Sequence, residues 1–181
     1  SLIKAIAMVK KASAIANKDV GLLEPELCEA MVKACDEIAG GALHDQFIVY
    51  PIQGGAGTSF NMNANEVIAN RALEIMGHPK GRYETLSPNN HVNMGQSTND
   101  AFPTAIHVAT LASLDTLLAE IRRLHTAFKA KAKKSDGLIT TGRTHLQNPV
   151  PIRPGQEVAA MARGTARTRK RTEPPRQTWY E

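Results

Sequence analysis

Residues 100–134, DAFPTAIHVATLASLDTLLAEIRRLHTAFKAKAKK, decide the fold of this 181-residue chain. Within them Leu114, Leu117, Ile121, Leu124 and Phe128 recur at alternating steps of three and four, the seam of a helix bundle or coiled coil. A helix of ~34 residues is ~50 Å long, too long for one compact domain of this size. Such a helix must lie against other long helices. The rest of the chain supplies too few of them, so an oligomer is expected.

Toward the N-terminus, Leu2, Ile6, Val9 and Ala16 set a helical period over about 2–17. Gly21 breaks it, and Pro25 suits the first turn of a second helix whose inner face is Leu27, Met31, Ala34 and Ile38. Gly40-Gly41 ends that helix. Phe47-Ile48-Val49-Tyr50 reads as a short extended run, followed by a polar glycine-rich loop. A third helix is predicted from about Asn61 to Met76, with Met62, Ala69, Leu73 and Met76 inward and Gly77 as its stop. Residues 78–96 read as loop, punctuated by Pro79, Gly81, Pro88 and Gly95.

Beyond the long helix, Thr141 to Pro149 reads as a polar loop, and Pro154 opens a helix through Gln156, Val158, Ala159 and Met161. Residues 163–181 have no apolar period, contain Pro174-Pro175 and hold the single Trp. They read as disordered, or as foreign to the fold. The fold class is therefore mainly α. A small N-terminal helical domain (1–99) precedes the beginning of a central long-helix bundle (100–162), and 163–181 is an atypical basic tail.

Composition agrees. Apolar residues are 42% of the chain but aromatics only 4%, which favours packed helices over a β-sandwich. No apolar run approaches the ~18 residues needed to span a bilayer, so no membrane partner is expected. The opening Ser1-Leu2-Ile3-Lys4-Ala5 lacks the order of a cleaved secretory leader and an initiator Met, so the natural start is expected upstream and the compartment cytoplasmic. Cys28 and Cys35 lie seven apart, ~10 Å along a helix and too far for a disulfide, and read as buried thiols. The net charge of +5 belongs mostly to the tail, where Arg163, Arg167, Arg169, Lys170, Arg171 and Arg176 face only Glu173 and Glu181. The body is nearly balanced, which argues against nucleic acid as a partner.

Three polar loops interrupt the helical sequence with small hydroxyl and amide residues: Gly54-Gly55-Ala56-Gly57-Thr58-Ser59, Gln96-Ser97-Thr98-Asn99-Asp100 and Gly142-Arg143-Thr144-His145-Leu146-Gln147. Two precede helices, where free amides and hydroxyls bind carboxylates. Taken singly, the blander reading prevails. Ser97, Thr98 or Asn99 would be a helix cap, and the glycine loop lacks the Lys-Ser/Thr of a nucleotide-binding P-loop.

Together the loops resemble the aspartate ammonia-lyase (aspartase) branch of the fumarase/aspartase superfamily. The resemblance rests on Phe47 to Ser59, on Asn61-Met62-Asn63-Ala64-Asn65-Glu66, and on the two later loops in order, and it covers roughly residues 1–162. Fumarases share the later two loops, whereas Ala56-Gly57-Thr58-Ser59 is aspartase-like where fumarases usually have Ser-Gly-Thr-Gln. The resemblance implies an L-aspartase-like fold, a homotetramer around long helices, and active sites assembled from three subunits. It implies reversible anti elimination of ammonia from L-aspartate to give fumarate. The sequence points to no cofactor, and although some family members respond to a divalent cation, no carboxylate cluster here marks a metal site.

By the same resemblance Thr58, Ser97 and Thr98 would bind the β-carboxylate of this dicarboxylate substrate. Asn99 and His145 would hold the amino group and Thr144 the α-carboxylate, with Thr98 and His145 the catalytic members. The departures are equally specific. The family's catalytic serine lies in a Gly-Ser-Ser…Met-Pro-x-Lys-x-Asn segment that nothing here matches, so this is expected to be an N-terminal part of a longer chain, inactive alone. Ser87-Pro88-Asn89-Asn90 lacks the groups of the second dicarboxylate site found in fumarases. Fumarate hydratase or a sister lyase is the alternative within the superfamily, and a non-catalytic helical assembly fragment the alternative outside it.

Overall fold

The structure is a computed structural model that describes residues 1–50, 52 and 55–178. The chain divides into two units, Ser1–Thr110 and Leu111–Glu181, and the boundary falls inside one helix.

The first unit contains α1 (Leu2–Asp19), α2 (Pro25–Gly40), α3 (Thr58–Ile75) and the opening turns of α4 (Thr98–Lys134). α1 packs on α2 and α2 on α3 around Ile6, Met31, Ile38, Ile68 and Leu73, all fully buried. Pro25 begins α2 as expected, and Gly41 ends it at φ 114°, a left-handed conformation that costs glycine nothing. Arg71 on α3 grips Glu37 on α2 with two bonds of 2.6 and 3.0 Å.

Several inner faces differ from the sequence reading. In α1 the buried residues are Ala5, Ile6, Ala7, Lys10 and Ala14, while Ala16 is exposed. α3 starts three residues early, at Thr58, and buries Asn61 and Asn65 where Met62 and Met76 were expected; both methionines are half-buried. Phe47 to Tyr50 forms no strand, and the Val49 amide donates to Asn63 Oδ1 instead. Within 78–96, Pro88–Val92 makes one π-helical turn.

The second unit contains the rest of α4, a hairpin of β1 (Thr140–Thr144) and β2 (Gln147–Ile152), and α5 (Pro154–Thr178). α5 returns antiparallel along α4. Gly155 lies so close to Ala132 O that a Cβ there would be 2.6 Å away. Further along, His125 Nδ1 meets Ala162 O at 2.9 Å, and Arg122 pairs with Glu173.

The segment read as a disordered tail is thus helical through Thr178. Ala, Arg and Lys are strong helix formers, and Glu173 ties the segment both to Arg122 and to Arg169 one turn away. Periodic apolar residues are not the sole means of docking a helix. Trp179, Tyr180 and Glu181 lie outside the described residues.

The α4 seam also divides. Leu114 and Leu118 are buried and Ile121, His125 and Phe128 half-buried, a stripe again spaced in threes and fours. Leu117 and Leu124 sit on a different face, 52% and 48% exposed. By length and composition α4 is also apolar enough to cross a membrane, contrary to the run-based reading. Isolated polar residues such as Thr110 and Ser113 interrupt every run while leaving the average apolar, and the buried helix of a bundle has the same make-up.

Candidate active site

Thr58 and Thr98 each open a helix. α3 begins at Thr58, capped by Gly57 at φ 81°, and the Thr58 hydroxyl donates to Gly55 O at 2.8 Å. α4 begins at Thr98, and Ser97 Oγ accepts the Asn99 amide at 3.2 Å. The capping role expected of this loop therefore falls to Ser97. A capping hydroxyl accepts with its lone pair, so its own proton stays free to donate. Both helix N-termini carry the partial positive charge that suits a carboxylate.

Pro103 interrupts the backbone bonding of the first turn of α4. It stands inside α4, and with no N–H it leaves the Asn99 carbonyl without its usual helical partner. Asn99 itself is exposed at the helix start.

Two features hold these helix starts in register. The rings of Phe47, Phe60 and Phe102 meet in sequence, the first pair tilted and the second edge to face, with centroids 5.9 and 5.7 Å apart. Phe102 presses against the bare Cα of Gly57, where a Cβ would lie 2.2 Å from the ring. Below the rings lies a buried polar cluster. Asn61 Nδ2 donates both to Thr98 Oγ1 (3.0 Å) and to Asn93 Oδ1 (3.1 Å). Asn65 Nδ2 reaches the same Asn93 oxygen at 3.2 Å, and Lys10 Nζ reaches it at 3.0 Å. Lys10 also donates to Gln96 Oε1 at 2.8 Å.

Lys10 is wholly buried with neutral oxygens as its hydrogen-bond partners, and burial lowers its pKa to about 8. The lowered value works against the folded state below pH 8, where both states carry the proton but only the folded one pays desolvation. Between pH 8 and the unfolded value of 10.5 the unfolded chain binds more protons, so this group makes stability rise with pH. Cys35 acts oppositely. Burial raises its thiol to about 12, so above the ordinary thiol value of 9.0 the unfolded chain loses a proton that the folded chain keeps. The rise is therefore expected between pH 8 and 9. Urea unfolding across that interval should show increasing stability, and Lys10→Met should flatten the curve. An unchanged slope in Lys10→Met would assign the dependence to other groups.

Thr144 and His145 belong to the second unit, at the tip of the hairpin. The sequence reading made 141–149 a loop, but Thr140 pairs with Ile152 and Thr144 with Gln147, leaving His145-Leu146 as a two-residue turn. Both turn residues have positive φ, 49° and 61°. Turns of this kind favour Asn-Gly because side chains resist that conformation, so two bulky residues there make the hairpin hard to read in advance. Holding them costs about 1–3 kcal/mol each, strain that clusters at functional sites. His145 is exposed, and Leu146 is fully so. The remaining candidates lie in the first unit, where Asn61 connects the first turn of α3, which holds Thr58, to Thr98.

The first unit thus brings two hydroxyl-bearing helix starts together, and the second carries a strained histidine turn. A family model described as "Lyase" matches residues 1–179, and the chain belongs to this lyase family. The match agrees with the resemblance of the three loops and includes most of the segment read as foreign. The chain is 60% identical over 180 residues to the aspartate ammonia-lyase of Bacillus subtilis (strain 168), and 47% identical over 161 residues to that of Escherichia coli (strain K12). These alignments take in 99% and 88% of this chain but 38% and 34% of the relatives. The chain thus spans little more than a third of the curated relatives it matches.

Among solved structures, a fumarate lyase:delta crystallin from Brucella melitensis superimposes with a TM-score of 0.88 at 49% identity, covering 99% of this chain and 42% of that one. A class II fumarase from Schistosoma mansoni gives 0.78 at 34%, covering 93% and 36%. The fold is the mainly helical one of the fumarase/aspartase lyases.

The sequence reading gave no role to Lys10, Asn61, Asn65, Asn93 or Gln96, although Asn61, Asn65 and Gln96 stand in the motifs that carry the resemblance. A signal existed for three of them. Lys10 interrupts the apolar stripe of α1, and Asn61 and Asn65, one turn apart, occupy the inner face of a helix although asparagine disfavours helix interiors. Nothing in the sequence showed that they meet.

Proposed function

We propose that this chain supplies part of the active site of an aspartate ammonia-lyase, which converts L-aspartate to fumarate and ammonia. A base takes the proton from Cβ, the electron pair is held on the neighbouring carboxylate, and it then forms the Cα=Cβ bond as the amine leaves Cα. Charge builds on the β-carboxylate oxygens, so fixed donors there lower the barrier more than they tighten ground-state binding. In this reading Thr58, Ser97 and Thr98 bind that carboxylate, the Thr58 hydroxyl turning from Gly55 O to do so. Asn99 and His145 take the amino group, Thr144 the α-carboxylate, and the base comes from sequence beyond this chain. The observation that carries the reading is Thr98. It sits at a helix N-terminus with its inner lone pair engaged by Asn61, so its proton is directed outward.

Residues 1–99 then correspond to the N-terminal lyase domain and 100–162 to the start of the central bundle. The exposed Leu117 and Leu124 face supports a homotetramer, and the small charged substrate a cytoplasmic enzyme. Fumarate hydration is the second reading, supported by the likeness to the Schistosoma fumarase. The Ala56-Gly57-Thr58-Ser59 loop favours the ammonia-lyase. The full-length enzyme should release ammonia from L-aspartate and hydrate fumarate far more slowly. Malate as the main product from fumarate and water would reverse the order of the two readings.

A further inference from the structure

Lys10 is a cation buried to 0% exposure whose ammonium donates to two side-chain amide oxygens. An ammonium can only donate, so it dictates the orientation of both amides it touches. Asn93 must present Oδ1 to it, leaving Nδ2 for Gln96 O at 3.3 Å. Gln96 must present Oε1, and its Nε2 goes to Val92 O at 2.8 Å. Both arrangements are observed. With its oxygen fixed, Asn93 accepts next from the amide nitrogens of Asn61 and Asn65. Asn61 thereby presents its nitrogen to this side, and its second N–H reaches Thr98 Oγ1. Two donors cannot share one hydrogen bond. The Thr98 proton must therefore point away from Asn61, and among the described residues no hydrogen-bond acceptor takes it.

We infer that Lys10, Asn93 and Asn61 are positioning residues that form a polarity relay, fixing the Thr98 hydroxyl as an outward-facing donor to the substrate carboxylate. The relay explains why a lysine occupies the apolar stripe of α1. A charge that cannot act as an acceptor sets the direction of every bond downstream, whereas a neutral amide at position 10 could flip and reverse them. The relay spans α1, the segment just after the π-helical turn, α3 and α4, so it also couples the packing of the first unit to the direction of one proton. The inference rests on the reading of Thr98 as a carboxylate donor.

The test is a set of variants in the full-length lyase, assayed for ammonia release from L-aspartate. Asn61→Asp keeps the shape of the side chain but turns a donor into an acceptor, drawing the Thr98 proton inward. It should lower kcat about 100-fold, as loss of one transition-state donor does, with KM changed far less. Asn61→Leu removes the donor without inverting it and should cost about tenfold or less. A merely structural amide would lower the stability of both variants, with the folded enzyme of each keeping a similar kcat; urea unfolding measured alongside kcat separates the two roles. Lys10→Met should fall between them. Combined with Thr98→Ala, neither Asn61→Asp nor Lys10→Met should lower activity further by more than about threefold, because the group they act through is gone.

Effects that multiply on top of a costly Thr98→Ala overturn the relay alone. Near-normal turnover in Thr98→Ala overturns the carboxylate-donor reading and the relay with it. Should Lys10→Met fail to fold, the two Asn61 variants decide the matter by their order.

Discussion

Thr98→Ala in the full-length lyase is expected to lower kcat for ammonia release by about 10²–10³, and His145→Ala by more than tenfold, with the assembly intact in both. One lost donor to a developing oxyanion typically costs that much, because the pre-oriented hydroxyl strengthens its bond as charge builds. Thr98 is oriented from behind by Asn61 and stands where the partial positive charge of α4 is greatest. Alanine leaves the helix intact, since it is the best helix former, so the loss is chemical and not structural. His145 needs a second variant. Its φ of 49° is strained for alanine too, so His145→Asn, which tolerates that conformation, separates loss of the ring from strain in the turn. Steady-state rates together with sedimentation of each variant check the expectation. Normal turnover in Thr98→Ala, or full activity in both His145 variants, would remove that residue from the site.

Gly57→Ala is expected to be more damaging than its one added methyl suggests. Gly57 holds φ 81°, which costs an alanine about 1–2 kcal/mol. The new Cβ would also lie 2.2 Å from the Phe102 ring, so the ring or the loop must move. Overpacking of this kind adds about 1–3 kcal/mol. The displaced groups are the start of α3, which carries Thr58 and Asn61, and the edge-to-face pair of Phe60 and Phe102 that braces α4. We therefore expect lower stability and at least a tenfold loss of activity together. Gly57→Ala combined with Phe102→Leu should recover part of both, since the smaller side chain can yield. Urea unfolding and kcat measured on the same preparations test this. No recovery in the double variant would place the damage in the backbone conformation alone.

Much of the first unit was legible from periodicity. The second helix was read with its inner face and both ends nearly correct, because Pro25, the Leu27–Ile38 stripe and Gly40-Gly41 are local signals that packing did not override. α4 announced itself through its long apolar period, and its true start at Thr98 differs from the reading by two residues. Where residues of unlike chemistry share an inner face, periodicity failed. Methionines 62 and 76 scored as core, yet Asn61 and Asn65 took the buried positions because their partners, Asn93 and Lys10, lie on other elements.

The sequence by itself determined the helical class, the three polar loops and, through their residues and order, the lyase family. Each of these is written in short stretches of chain, as period, punctuation or motif. Only the tertiary structure decided that His145 and Leu146 turn a hairpin, that the basic segment continues α5, and that Thr98 is wired through Asn61 and Asn93 to Lys10. Hydrogen-bond direction and strained backbone depend on partners up to 86 positions away, as between Lys10 and Gln96. A donor-only charge buried among amides has its meaning from what surrounds it, and the order of residues along the chain does not contain those surroundings.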